Sequence, residues 1–316
     1  MSRTTRWLTA VTACGVLFGL APAVRAAPEP WALLPWDEAA GRILGQEADS
    51  EGPKSFAVKP DGGLLVLDQV HRRVLDLDPD GAIVNALDLP ATTFDDVELL
   101  DGRAVLVLDR LAARTLLVMD LAGERLAEVA LEGRGLERSG LITALLPRPD
   151  GVWLEVAHRH SVKVLDRNLV PCDRQIVLGR PVAGGQSLHG ALDRRGGVTL
   201  ALGPRNALAP AATVTLRGEA PVRRLVWMDM DARGDVHVVL HEVERSAEPP
   251  FAVLAEQYRR VVLDGDLRER SRAESPWVLT LLDQRVELRV APDGTLWQMA
   301  FTPGGVALVR WEGGQP

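Results

Sequence analysis

The sequence predicts an all-β fold, a six-bladed β-propeller of four-stranded antiparallel blades, and three observations carry that reading. A unit of short apolar strands separated by tight turns recurs along the chain. Turn glycines recur with it at Gly62, Gly102, Gly151, Gly196, Gly234 and Gly294, with spacings of 40, 49, 45, 38 and 60 residues. The runs beside them, such as Leu64–Leu67, Val105–Leu108 and Val236–Leu240, are rich in leucine and valine, as buried strands are. Asp-Gly and Arg-Gly between apolar runs are hairpin signals, because glycine accepts the positive φ of a tight turn without a Cβ clash. Six copies averaging about 46 residues are natural units of a ring of sheets. The longest gap, before Gly294, leaves room for a truncated seventh.

The 316 residues are 47% hydrophobic and 25% charged, the balance of a folded globular chain and not of a disordered one. They divide into a leader, residues 1–26, and a single propeller domain, residues 27–316. Arg3 and Arg6 precede an apolar stretch, Trp7–Ala23, and the small residues Val24 and Ala26 suit a cleavage site, the plan of a secretory signal peptide. The expected location is therefore periplasmic or extracellular. Trp7–Ala23 sits at the short end of the ~17–25 residues that span a bilayer, so no transmembrane anchor is expected after cleavage. Val11–Cys14 also has the look of a lipoprotein box, a minor alternative in which Cys14 carries a lipid. If Cys14 leaves with the leader, Cys172 remains alone, no internal disulfide can form, and a large core must supply stability.

Removing the leader leaves 33 basic against 43 acidic residues, a net charge of about −10. A chain so charged and without a basic block is a poor ligand for phosphate backbones, so nucleic acid is set aside as a partner. Lys54, Lys59 and Lys163 are its lysines and every other basic residue is arginine, which reads as codon usage and not as a chemical choice.

In the first copy Pro53, Asp61-Gly62, Asp68 and Arg73-Val74 fall in one order, and the second keeps Asp101-Gly102, Asp109 and Arg114. This pattern resembles the NHL repeat of β-propellers, in which the Asp and Arg are usually a structural bridge between second and third strands. The resemblance implies Asp68–Arg73 and Asp109–Arg114 bridges. Later copies keep the rhythm but lose the pair, with Ala157 in the place of the acid. The last blade lacks an outer strand, and Gly41–Gly45 is the segment expected to supply it and close the ring from the N-terminal side. Trp31 and Trp36 would pack beside it. In Phe251–Asp264 helical and strand spacings compete, and a strand over 258–263 is preferred after a polar loop, Glu244–Pro250.

Chemistry-bearing residues are sparse. His158 and His160, two apart, would share a face of a strand about 7 Å apart, and are weak candidates to hold an ion; a solvated loop pair is the simpler alternative. The run from His241 is not a zinc-protease motif, because Arg245 stands where the second histidine belongs. Ser187 lacks the final glycine of a nucleophile elbow, His189 standing there. No phosphate loop, dinucleotide fingerprint or haem motif is present. No cofactor is predicted, and a divalent metal remains open.

In propellers, second-to-third-strand loops and blade-to-blade crossings gather at one mouth of the central channel. The repeat alignment places there Gln69, His71 and Arg72; Asp95 and Asp96; His158 and His160; His189, Arg205 and Asn206; and His241 and Glu242. Acids beside histidines could hold a divalent ion or be a solvated rim. The expected function is a binding or interaction scaffold for a protein or polysaccharide partner, monomeric, acting through these loops. The rival is a metal-dependent propeller enzyme of lactonase or lyase type.

Overall fold

The computed structural model describes residues 29–43, 51–205, 207, 209–275 and 284–311; the leader and Asn206 lie outside them. The described chain folds into six four-stranded antiparallel sheets, with three short 3-10 turns as its helical content. Strand β1 (Ala32–Pro35) comes first in the chain but belongs to the sixth blade. Blade one holds β2 (Ser55–Val58), β3 (Leu64–Asp68), β4 (Arg73–Leu77) and β5 (Ile83–Asp88). Blade two holds β6 (Asp96–Leu100), β7 (Ala104–Asp109), β8 (Thr115–Met119) and β9 (Arg125–Ala130). Blade three holds β10 (Ile142–Arg148), β11 (Gly151–Val156), β12 (His160–Asp166) and β13 (Ile176–Leu178). Blade four holds β14 (Arg180–Pro181), β15 (Gln186–Leu192), β16 (Gly197–Pro204) and β17 (Ala212–Arg217). Blade five holds β18 (Val222–Met230), β19 (Val236–Arg245), β20 (Val253–Leu263) and β21 (Glu269–Glu274). Blade six holds β22 (Leu288–Val290), β23 (Leu296–Thr302) and β24 (Gly305–Trp311), with β1 at its edge.

The first strand of each blade lines the channel, and the second is sandwiched between neighbouring blades. Strands β3 and β7 are accordingly buried at every position, both faces of each sheet packing on apolar side chains of the next. The outer strands are mostly exposed instead, with β9 presenting Arg125, Leu126 and Glu128 to solvent and β5 burying only Leu87.

The sixth blade departs from expectation. Its outer strand is Ala32–Pro35, running from Ala32 opposite Leu308 to Pro35 opposite Gly305, and not Gly41–Gly45. Leu34 turns into the core while Leu33 faces out. Two rings anchor the segment: Trp31 meets Trp297 edge-on at 4.9 Å, and Trp36 meets Phe301 at 5.5 Å while its Nε1 donates to the Thr302 carbonyl (2.8 Å). Gly41 instead crosses blade one, its amide donating to Asp68 Oδ1, where an added Cβ would lie 2.7 Å from Val70. Gly45 lies outside the described residues.

Blade four corrects the repeat alignment by one strand. Gly196 sits in its second-to-third-strand turn; the first turn is Ala183–Gly185, with Gly184 and Gly185 at φ 68° and 69°. The cause is β14, two residues with a proline, too short to leave a periodic signal. In blade five the ambiguous segment is strand from Val253 onward, and β19 runs through Glu244 and Arg245, so the loop is shorter than the sequence implied. This long hairpin takes up much of the gap before Gly294.

Candidate functional site

All six inner strands run in the same direction around the axis, so their first residues meet at one mouth, called upper here, and their last at the lower. At the upper mouth Thr93, Asp95, Arg110, Thr143, His158 and Arg285 line a cavity of about 700 Å³. Through Thr143, His158 and Arg285 it continues into a recess of about 310 Å³ bordered by Arg180, Arg224, Gln284 and Arg289. A separate recess of about 290 Å³ at the lower mouth is bordered by Pro147, Trp227, Asp229 and Pro292.

Guanidinium groups cross the channel between the mouths. Arg289 of blade six reaches Asp96 Oδ1 and Glu98 Oε1 of blade two, both at 2.9 Å, and donates to the Phe56 carbonyl at 3.1 Å. Arg148 of blade three grips both oxygens of Asp229 in blade five (2.8 and 3.0 Å). Arg180 donates to both oxygens of Glu155 (2.7 and 3.1 Å) and to the Met228 carbonyl. Arg285 spans from blade six to the Ile142 carbonyl of blade three (2.8 Å). The Arg180 fork meets the two oxygens of Glu155 with parallel bonds, a planar geometry that a lysine ammonium does not offer.

These groups set the acidities of the channel. Burial lifts Asp95 to about 6, against the pull of Arg285 and Arg110 and with help from Asp96. Burial likewise lifts Glu98 to about 7, opposed chiefly by Arg289. At Glu155 burial pushes upward too, but the Arg180 charge and bonds from His158, Arg180 and Thr143 outweigh it and hold the carboxyl well below its usual range.

Folded protein therefore keeps protons on Asp95 and Glu98 at pH values where the unfolded chain has released them, so their contribution to stability grows as pH falls. His237 opposes this. Burial lowers its pKa against its bond to Asp231, so unfolding takes up a proton that the folded ring resists. The expected balance is a gain of about 1–2 kcal/mol, or a few degrees in melting midpoint, from about pH 7.5 to 5.5. Melting curves across that window check it; a falling midpoint counts against it.

The residues expected at one mouth divide. Asp95, Asp96 and His158 are at the upper mouth. Asp96 is fully buried, accepting from Ser55 Oγ (2.6 Å), the Leu145 amide (3.2 Å) and Arg289, and so pins four blades together. His158 has φ 54°, outside the strand that His160 begins, so the strand spacing behind their pairing does not apply. Its Nδ1 lies 3.1 Å from Glu155 Oε2, and its ring is largely exposed. Gln69 is buried, donating to the Gly52 carbonyl, and Arg72 closes the following turn at φ 54°. His71 and Arg73 share Asp68 Oδ2 at 2.8 and 3.0 Å, which forms the first implied bridge.

Others move. Asp109 does not pair with Arg114 among the described residues; its carboxylate accepts from Thr93 Oγ1 and from the Leu111, Ala112 and Ala113 amides, capping its own loop. Arg205 belongs to the lower end, because blade four is shifted by one strand. It bonds Asp150 at 2.5 Å and stacks over Trp153 at 5.0 Å. His189 lies within β15, opposite Ala201. His241 stacks on Tyr258 and bonds Glu256 (2.7 Å) along the blade-five hairpin. Glu242 is fully buried and held by Arg259 Nε (2.9 Å) and Gln257.

Sequence reasoning missed Arg110, Arg148, Arg180, Arg285 and Arg289. A charged residue flanked by apolar neighbours, as Arg289 is by Leu288 and Val290, was the available signal. The donor set does not suit a divalent cation, since every channel acid named above already faces a guanidinium. Among the described residues no three His, Cys, Asp or Glu side chains converge as a ligand set.

No protein-family model and no curated protein matches the chain. Among solved structures, the hydrazine synthase of Kuenenia stuttgartiensis aligns over 81% of this chain and 76% of its own, with a TM-score of 0.53 at 12% identity. A member of the DUF4221 family from Bacteroides vulgatus aligns over 86% and 98% (TM-score 0.49, 9% identity). A streptogramin B lyase aligns over 86% and 97% (TM-score 0.43, 10% identity). At these identities the likeness is one of fold: the chain is a six-bladed β-propeller.

Proposed function

We propose that the protein is a divergent NHL-like propeller serving as a binding scaffold, with its ligand or partner seated at the upper mouth. The observation that carries this reading is the cavity of about 700 Å³ there, whose wall gathers the charges of Asp95, Arg110 and Arg285. Arg110 Nε is 2.7 Å from Asp95 Oδ2 and Arg285 Nε is 3.4 Å from Oδ1, an ion-paired cluster beside open space that a polar group can enter. The leader-like residues 1–26 support an exported scaffold.

The metal-dependent alternative is disfavoured by chemistry: a divalent ion at Asp95 would sit against two guanidiniums. Elemental analysis and melting with a strong chelator separate the two readings. Scaffold behaviour is no stoichiometric metal and an unmoved midpoint, whereas loss of a bound metal would lower it by roughly 5–10 °C. A thermal-shift screen of small polar molecules is expected to give stabilisers that lose their effect in Arg285→Gln. Stabilisers indifferent to Arg285 would place binding elsewhere.

A further inference from the structure

In blade five, β19 and β20 outrun their neighbours at the upper face. Strand β18 starts where Val222 meets Glu242, and β21 stops where Glu274 meets Arg259, yet β19 and β20 stay paired as far as Arg245 opposite Val253. Three rungs, about 10 Å, and the turn that Ser246 and Ala252 close therefore stand above the ring. In blade six the same connection is only Pro303-Gly304. The tip of this hairpin is apolar: Phe251, Val253 and Leu254 are each half or more exposed. Three such neighbours on one projection mark a contact surface and not a solvated turn.

The same face offers a seat for that tip. The cavity of about 700 Å³ centres on blade two, which stands opposite blade five in a ring of six. Its wall includes Leu111 and Ala112 of the β7–β8 connection, the equivalent of the hairpin turn and so at a similar distance from the axis. Ile43 and Leu111, both more than half exposed, form an apolar side, and Lys54, Arg110 and Arg285 outnumber Glu51 and Asp95 on the rest. The hairpin matches both properties, since Glu244, Glu248 and Glu256 against Arg245 accompany Phe251. Within one chain the two lie across the channel from each other. A twofold axis between facing upper mouths that sets blade five of one copy over blade two of the other also sets blade two over blade five, so both hairpins are seated at once and the contact closes at two copies. Resting on the binding reading above, we propose that the partner at the upper mouth is a second copy of this chain, whose blade-five hairpin seats Phe251 and Leu254 against Leu111 and Ile43. This replaces the monomer expected from the sequence.

The test is sedimentation velocity on the chain with and without residues 1–26, from about 2 to 200 μM, a range suited to micromolar affinity. The expected result is a monomer–dimer equilibrium in both forms. Phe251→Ser, Leu254→Ser and Leu111→Glu should each weaken it tenfold or more. Val84→Ser, an equally exposed apolar site on the outer strand of blade one, should leave it unchanged. Circular dichroism establishes that each variant is folded. Cross-linking supplies a second readout in chains lacking residues 1–26 and carrying Cys172→Ser. On oxidation, a Phe251→Cys copy mixed with a Leu111→Cys copy should give the mixed disulfide in preference to either copy joined to itself.

A monomer at every concentration overturns the proposal, as does a dimer lost with residues 1–26 or one that any of the three variants leaves unmoved. Absence of the mixed disulfide, or Phe251→Cys copies joined chiefly to each other, overturns it too. None of these outcomes touches the binding reading itself, which falls only if the thermal-shift screen yields no stabiliser sensitive to Arg285.

Discussion

Glu155→Ala is expected to lower the unfolding free energy by about 3–5 kcal/mol, because it strands the Arg180 guanidinium in a buried site. Arg180 is 8% exposed, and Glu155 takes two of its bonds. The same carboxylate holds Thr143 Oγ1 (2.8 Å) and His158, so one truncation frees three partners. What lies beneath explains the size of the effect: β14 is two residues long, and the bonds of Arg180 to Glu155 and Met228 tie this thin part of the wall to blades three and five. Replacing both partners, Glu155→Ala with Arg180→Met, should recover much of the loss, since the penalty comes from the unpaired charge more than from the missing pair. Urea unfolding of the two variants is the measurement. A loss below about 1 kcal/mol for Glu155→Ala would mean that the pair is solvated like an ordinary surface bridge. The pair also weakens in acid: with its pKa held down, the stabilisation from Glu155 is complete above the ordinary carboxylate range and disappears as pH falls below it.

Gly305→Val should disrupt the sixth blade with a comparable penalty, about 3 kcal/mol or more. Gly305 has φ +153°, and a Cβ there would lie 2.2 Å from the Leu34 carbonyl oxygen. That oxygen belongs to the backbone of β1, so relief requires β1 to move away from β24. Moving it unseats Leu34, shifts Trp31 from Trp297, and exposes a strand edge open to pairing with other chains. Neighbouring Gly304 is the control: its nearest side-chain atom, on Leu33, would be 3.9 Å from a new Cβ, so Gly304→Ala should be nearly neutral. Limited proteolysis before Ala32 and size-exclusion chromatography would detect the released strand. A Gly305→Val protein that melts with the wild type and resists proteolysis would show that β1 contributes little.

Much of the ring was legible because its strands are repetitive and its turns demand glycine. Asp61-Gly62 and Asp101-Gly102 announced blades one and two, where period and turn chemistry agree. Blade four was misaligned because Arg195-Gly196 is a good hairpin signal that does not say which pair of strands it joins. The closing strand was misplaced because glycines at both ends made Gly41–Gly45 look bounded. Trp31 and Trp36, read as packing beside that strand, in fact flank the true one. At the mouth, Asp95 was found by position in the repeat. Its arginine neighbours were not, because Arg110 and Arg285 are far apart in sequence and nothing local marks their convergence. Arg205 was lost with the blade-four register, showing that a one-strand error moves a residue from one mouth to the other.

The pairing of Ala32–Pro35 with Gly305–Trp311 also governs the order of assembly. Strand β1 is synthesised before any complete blade, yet its partner β24 appears only after the other five sheets are made. Until then the chain is an open arc with two sticky ends, β22 and β23 at one side and blade one at the other. Contacts so distant along the chain are slow to form, because closure entropy must be met before the pairing returns anything. Chaperone demand should therefore peak late, just before the clasp engages, and a ribosome stalled ahead of Gly305 would hold a nearly finished but unlocked ring.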